Sequence, residues 1–126
     1  MTFSRVAAAA AGLALLSLGG PAAAQPGQLL VQVYSFGFSP QPIHLMAGRP
    51  VTLTFVNRSG SGHDFTAPGF FQHARIIAGG PVSDEVELRP HETRSITLVP
   101  AAGTYQAHCS HFLHKQMGMS DVIVVN

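Results

Sequence analysis

The segment from Cys109 to Met119 concentrates soft metal ligands into eleven residues. It holds the only cysteine of the chain, together with His111, His114 and Met117, just before a closing apolar run. Soft sulfur ligands select copper over magnesium or calcium, and one Cys with two His in a plane and a distant axial Met is an arrangement used for electron transfer. The segment therefore predicts a copper site to which it contributes three of the four ligands.

The ligands that we favour within this segment are Cys109, His114 and Met119. His111 is a rival nitrogen ligand, although a ligand only two residues from the cysteine would be sterically tight. Met117 is a rival sulfur ligand, although it would require a shorter loop between imidazole and thioether. If either rival does not bind the metal, His111 is a loop histidine and Met117 is a flexible apolar residue that fills a gap.

The fourth ligand must be a histidine from a distant part of the chain, and His63 is our candidate. It is the upstream histidine that has both a Gly-rich approach and an aromatic neighbour, in the sequence Ser-Gly-His-Asp-Phe. The histidines at positions 44, 73 and 91 fall in other segments, where exposure at the surface is the expected state for a polar residue.

The first 24 residues have the pattern of a secretory leader. Arg5 precedes an apolar run over 6–18, and Gly, Pro and a small-residue stretch follow it. The run is shorter than the roughly 20 residues that a membrane-spanning helix needs. We therefore predict a signal peptide over 1–24, an exported domain over 25–126 in the periplasm or a comparable compartment, and no membrane span in the mature chain.

Charge and cysteine content narrow the classes of function further. Without Arg5 the chain has six basic and six acidic residues, so it offers no basic face for nucleic acid. A single cysteine cannot form an internal disulfide, and an odd thiol in an exported protein is paired between chains or occupied by a metal. The neighbouring histidines and methionines favour the metal.

Most of the domain is patterned as short strands. Apolar and polar residues alternate over 51–56, 85–88 and 95–98, and turns rich in Gly and Pro separate these runs. This pattern predicts an all-β sandwich or barrel. Residues 67–77 lack clean alternation, so we expect a helical turn or an irregular crossover there.

Strand geometry predicts which way the cysteine points. In an extended segment over 103–109, Cys109 lies on the same face as Tyr105 and Ala107, while His108 points the other way. We expect the aromatic residues to form the core and to have no redox role: Phe36, Phe38, Phe55, Phe65 and Tyr105.

The complete pattern resembles the cupredoxins, a family of small type 1 blue copper proteins. The likeness covers nearly all of the mature region and is most specific in Cys109, four residues, His114, four residues and Met119, a spacing similar to that of the rusticyanin-like members. The resemblance implies a Greek-key β-sandwich and one type 1 copper, with Cys109 and His114 in the ligand plane, Met119 axial and an upstream histidine completing the set. Asp64 stands where the family usually has Asn.

The resemblance also implies a function. We expect a soluble, monomeric electron carrier, not an enzyme, whose copper cycles between Cu(I) and Cu(II) and whose redox partner docks near His114. The alternative is a periplasmic copper-binding protein for copper delivery or resistance, which would use the spare donors His108, His111 and Met117.

Overall fold

The computed structural model describes residues 2, 12, 25–111 and 119–126. Among them are ten strands and one helix: β1 (Gly27–Tyr34), β2 (Gly37–Ser39), β3 (Ile43–Leu45), β4 (Val51–Asn57), β5 (His63–Thr66), α1 (Pro68–His73), β6 (Arg75–Ala78), β7 (Glu85–Leu88), β8 (Thr93–Val99), β9 (Gly103–His108) and β10 (Ser120–Val125). Apart from residues 2 and 12, the predicted leader lies outside the described residues, as do the ligand candidates His114 and Met117.

The strands form two five-stranded sheets. The first has the order β2-β1-β4-β8-β6 and the second β3-β10-β9-β5-β7. The chain changes sheet at nearly every connection, as expected for a Greek-key sandwich, and the β1–β4 and β3–β10 pairs are parallel. This confirms the predicted all-β sandwich, and α1 confirms the short helical crossover after residue 67.

Alternation within the strands decides which residues enter the core. In β4, Val51, Leu53 and Phe55 are buried, whereas the hydroxyl of Thr52 lies on the outer face, 2.8 Å from that of Thr97. Among the described residues there is no helix long and apolar enough to cross a membrane.

Phe65 occupies the centre of the aromatic core, with none of its surface exposed. Its ring packs against those of Phe38, Phe55 and Phe71, with centroids 5.3, 4.9 and 6.2 Å away. The expectation for Phe36 is wrong: it is 56% exposed, because it sits in the turn between β1 and β2, beyond the space between the sheets.

We predict that Phe65→Ala lowers the free energy of unfolding by about 3–5 kcal/mol, since it removes a ring that touches three others and leaves a cavity. Urea denaturation of the metal-free protein measures this effect. The matched control is Phe36→Ala, which should change stability by less than about 0.5 kcal/mol because that ring is exposed. Equal losses in the two variants would contradict the central position of Phe65 in the core.

Candidate metal centre

Three of the four predicted ligands lie at strand ends that the sheet brings side by side. His63 begins β5, Cys109 follows β9 directly, and Met119 immediately precedes β10. Since β9 lies between β5 and β10, the register sets Cys109 opposite Met119, and the Cys109 N–H donates to the Met119 carbonyl at 3.1 Å. All three residues are almost completely buried, with exposures of 1, 0 and 0%.

The spacing between His63 and Cys109 suits a shared metal ion. The distance from His63 Nδ1 to Cys109 Sγ is 3.9 Å. A first-row ion with bonds of about 2.0 Å to nitrogen and 2.3 Å to sulfur, at a trigonal angle, would separate these atoms by about 3.7 Å. The two side chains therefore already stand at nearly the separation that a ligand plane requires. The fourth predicted ligand, His114, lies outside the described residues.

Backbone donors surround the sulfur of Cys109. The Asp64 N–H approaches Sγ at 3.5 Å, and the His111 N–H also donates to it. The thiol pKa is nevertheless raised, chiefly because burial disfavours the thiolate, while the two N–H donors act in the opposite direction. A metal ion would replace the thiol proton and compensate the buried negative charge.

Asp64 connects the two segments that carry these ligands. Its Oδ1 accepts hydrogen bonds from the Ser110 N–H and the Thr66 hydroxyl, each at 2.8 Å, and its Oδ2 accepts one from the Ser110 hydroxyl. The residue is only 1% exposed. The aspartate thus ties the strand of His63 to the loop that follows Cys109.

Asn57 holds the approach to His63 in a similar way. Its amide donates to the carbonyls of Ser61, Leu88 and Arg89 at 2.8, 3.3 and 3.0 Å. Its Oδ1 accepts from both the N–H and the hydroxyl of Ser59 at 3.0 Å. The Gly-rich connection between β4 and β5 is therefore fixed by one buried side chain.

The other histidines within the described residues lie further out. The ring of His111 packs beside that of His63, with centroids 6.2 Å apart, and its Nε2 lies 2.9 Å from Glu87 Oε1. The three histidines expected at the surface are indeed exposed: His44, His73 and His91. The inward direction predicted for Cys109, together with Ala107, is confirmed by their burial.

Sequence reasoning missed Asn57 and Glu87, and it left the role of Asp64 open. Asn57 ends a strand before a Gly-Ser loop, which is a common place for a side chain that bonds turn backbone, so it could have been flagged. Glu87 gave no signal, because an acidic residue on the outer face of a strand is ordinary.

Asp121 was also missed. It follows Met119 by two residues, faces inward and is 5% exposed. Burial raises its pKa to about 6, although the Val122 N–H donates to Oδ1 at 2.7 Å and partly offsets this cost. The ionised carboxylate therefore destabilises the fold at neutral pH.

Comparison with known proteins agrees with this architecture. Residues 6–125 match the family model of the cupredoxin-like domain, and no curated protein matches the sequence significantly. The fold is similar to dithionite-reduced auracyanin from the photosynthetic bacterium Roseiflexus castenholzii, with a TM-score of 0.61 and 19% identity over 82% of this chain and 99% of that one.

Two further auracyanins show the same likeness. Auracyanin B gives a TM-score of 0.59 and 20% identity over 82% of this chain and 92% of its own. Auracyanin A of Chloroflexus aurantiacus, described as a "blue" copper protein, gives a TM-score of 0.56 and 23% identity over 79% of this chain and 100% of its own.

We predict that Asn57→Ala lowers the unfolding free energy of the metal-free protein by about 2–4 kcal/mol, because it leaves buried backbone groups without their partners. Ser61→Ala is the matched control: it keeps the backbone carbonyl that Asn57 binds and should change stability by less than about 0.5 kcal/mol. Chemical denaturation measures both. An unfolding free energy that Asn57→Ala leaves unchanged would mean that the loop does not depend on this side chain.

We predict that Asp121→Asn stabilises the metal-free protein by about 2 kcal/mol at pH 7 and has little effect at pH 4. The folded carboxyl keeps its proton to a higher pH than the unfolded one, so its contribution worsens as the pH rises from about 4 to about 6. Denaturation curves of wild type and variant at both pH values provide the test. An equal difference in stability between wild type and variant at the two pH values would contradict the raised pKa of Asp121.

Proposed function

Since this chain belongs to the cupredoxin-like family, we propose that it is an electron-transfer protein that binds one type 1 copper ion through His63, Cys109, His114 and Met119. When bound, this ion supplies a one-electron Cu(I)/Cu(II) couple. The likeness in fold to auracyanin A, a "blue" copper protein, supports the proposal.

The observation that carries the proposal is the convergence of His63 and Cys109. These residues are 46 positions apart, yet their donor atoms lie 3.9 Å from each other in a buried site. A thiolate, imidazoles and a thioether form the soft ligand set that selects copper. Met119 is buried and directly precedes β10, the strand that pairs with β9.

The protein's contribution is to keep the ligands in place. His63 begins β5, whereas Cys109 and Met119 directly flank β9 and β10 of the same sheet, and hydrogen bonds through Asp64 link two of these segments. Ligands held by a packed sandwich move little when the charge of the metal changes, because packed interiors deform little. The N–H donors at Cys109 Sγ stabilise negative charge on the sulfur.

We further propose the biological setting in which this site works. The leader over 1–24 would direct export, and the mature domain over 25–126 would act as a monomer in the periplasm or an equivalent space. A redox partner would dock around His114, through which the electron leaves. With balanced basic and acidic residues in the mature chain, this contact should be transient and weakly dependent on salt.

The test of the proposal is spectroscopic. We predict that the Cu(II) protein shows an intense visible charge-transfer band that Cys109→Ser abolishes, since the band arises from the thiolate. Met119→Leu should keep the band and raise the reduction potential, because it removes the weak axial donor while preserving an apolar side chain. Absorption, electron paramagnetic resonance and voltammetry measure these effects.

The exposed histidine His44 provides a control, since His44→Gln should alter neither colour nor potential. A colourless Cu(II) complex, or colour that survives in Cys109→Ser, would exclude the type 1 assignment. Ready transfer of Cu(I) to a competing chelator during redox cycling would instead favour the copper-delivery alternative.

A further inference from the structure

We propose that Asp64, Glu87 and His111 form a second metal site, separate from the predicted copper ligands, that takes one divalent transition-metal ion such as Zn²⁺ at the surface of the protein. The three side chains each offer one ligand atom, and these atoms all lie within 4.8 Å of one another. They combine an imidazole with two carboxylates, which are ordinary zinc ligands.

The distances suit a small tetrahedral ion. His111 Nε2 lies 2.9 Å from Glu87 Oε1 and 3.7 Å from Asp64 Oδ2. Tetrahedral bonds of about 2.0–2.1 Å separate neighbouring ligand atoms by about 3.3 Å, which falls between these two values. Small side-chain adjustments would therefore admit the ion.

The backbone sets this arrangement in advance. Asp64 and Glu87 face each other in register on the adjacent strands β5 and β7, so their side chains share one face of the sheet. His111 approaches from the loop after Cys109, and its ring packs beside that of His63 and against Gly62, where an added Cβ would lie 3.5 Å from His111 Cε1. Two strands and one loop thus meet at the proposed site.

Accessibility and charge also favour a cation here. Asp64 is buried, whereas the side chains of His111 and Glu87 are 33 and 51% exposed, so an ion could enter from solvent and keep water as a further ligand. Asp64 Oδ2 has a lone pair beyond the one that Ser110 uses. Glu85 adds a third carboxylate close by, and its pKa is raised first by burial and then by repulsion from Asp64 and Glu87.

The simpler alternative is a hydrogen-bonded His111–Glu87 pair that binds nothing. The geometry of the pair is compatible with a metal site and with a simple hydrogen bond, but the two alternatives predict different responses to zinc. A metal site requires both side chains as ligands, so losing either should weaken zinc binding at least about tenfold. An ion here would also bind the loop after Cys109 to the edge of the sheet.

The experiment titrates Zn²⁺ into the full chain carrying Cys109→Ser, by isothermal titration calorimetry. The Cys109→Ser substitution weakens zinc binding by the cysteine site. The outcome of the titration therefore does not depend on whether the copper proposal is right. We expect one zinc ion per chain, with affinity lowered at least about tenfold by His111→Gln and by Glu87→Gln. His44→Gln is the control, because His44 is an exposed histidine on β3, at the opposite edge of the same sheet.

X-ray absorption at the zinc edge, in the same Cys109→Ser chain, identifies the ligands. A zinc shell of nitrogen and oxygen supports the proposal, and sulfur in that shell contradicts it. Absence of zinc binding, or binding that Glu87→Gln and His111→Gln leave unchanged, would overturn the proposal. Circular dichroism of both variants checks that they remain folded, which we expect because His111 is partly exposed and Glu87 is exposed.

Discussion

The hydrogen bonds of the Asp64 carboxylate are the constraint on which the rest of the metal centre depends. A buried carboxylate is costly unless donors surround it, and Asp64 receives them from Thr66 on its own strand and from Ser110 beyond β9. Its backbone N–H points at the same time to Cys109 Sγ. The hydrogen bonds of Asp64 therefore fix the position of the loop after Cys109 relative to the strand of His63. An asparagine could make similar contacts, but only a carboxylate places a negative charge beside the thiol.

The sandwich makes this local arrangement stable. The ligand-bearing ends of β5, β9 and β10 lie next to one another in one sheet, and Phe65, which shares the inner face of β5 with His63, is held by aromatic rings from elsewhere in the sandwich. Movement of a ligand would have to disturb either the sheet ladder or this packed core. The same rigidity that stabilises the domain would limit the rearrangement of ligands when an electron is gained or lost.

The structure separates its potential ligands by chemical type and by depth. The sulfur atoms and the imidazole of His63 lie in an almost completely buried site, where a soft ligand set favours copper. The carboxylates of Asp64 and Glu87 and the imidazole of His111 lie on the other face of the strand, where Glu87 and His111 reach solvent. The two groups are neighbours because Asp64 and His63 are consecutive in a strand and so point to opposite faces. If both proposals are correct, a harder ion and a softer one would be bound on the two sides of the same strand.

The sequence by itself determined the all-β class, the inward direction of Cys109 and the identity of most candidate ligands. It could do so because alternation reports which face of a strand is buried and because a single cysteine among histidines and methionines is typical of a metal site. Only the tertiary structure decided that His63 lies 3.9 Å from the thiol, that Asp64 links the two segments and that Phe36 is exposed. The role proposed for Glu87 likewise rests on contacts that only the fold creates, with Asp64 on the adjacent strand β5 and with His111. These facts depend on strand order and register between residues far apart in the chain, and a pattern of period two contains no information about which strands become neighbours.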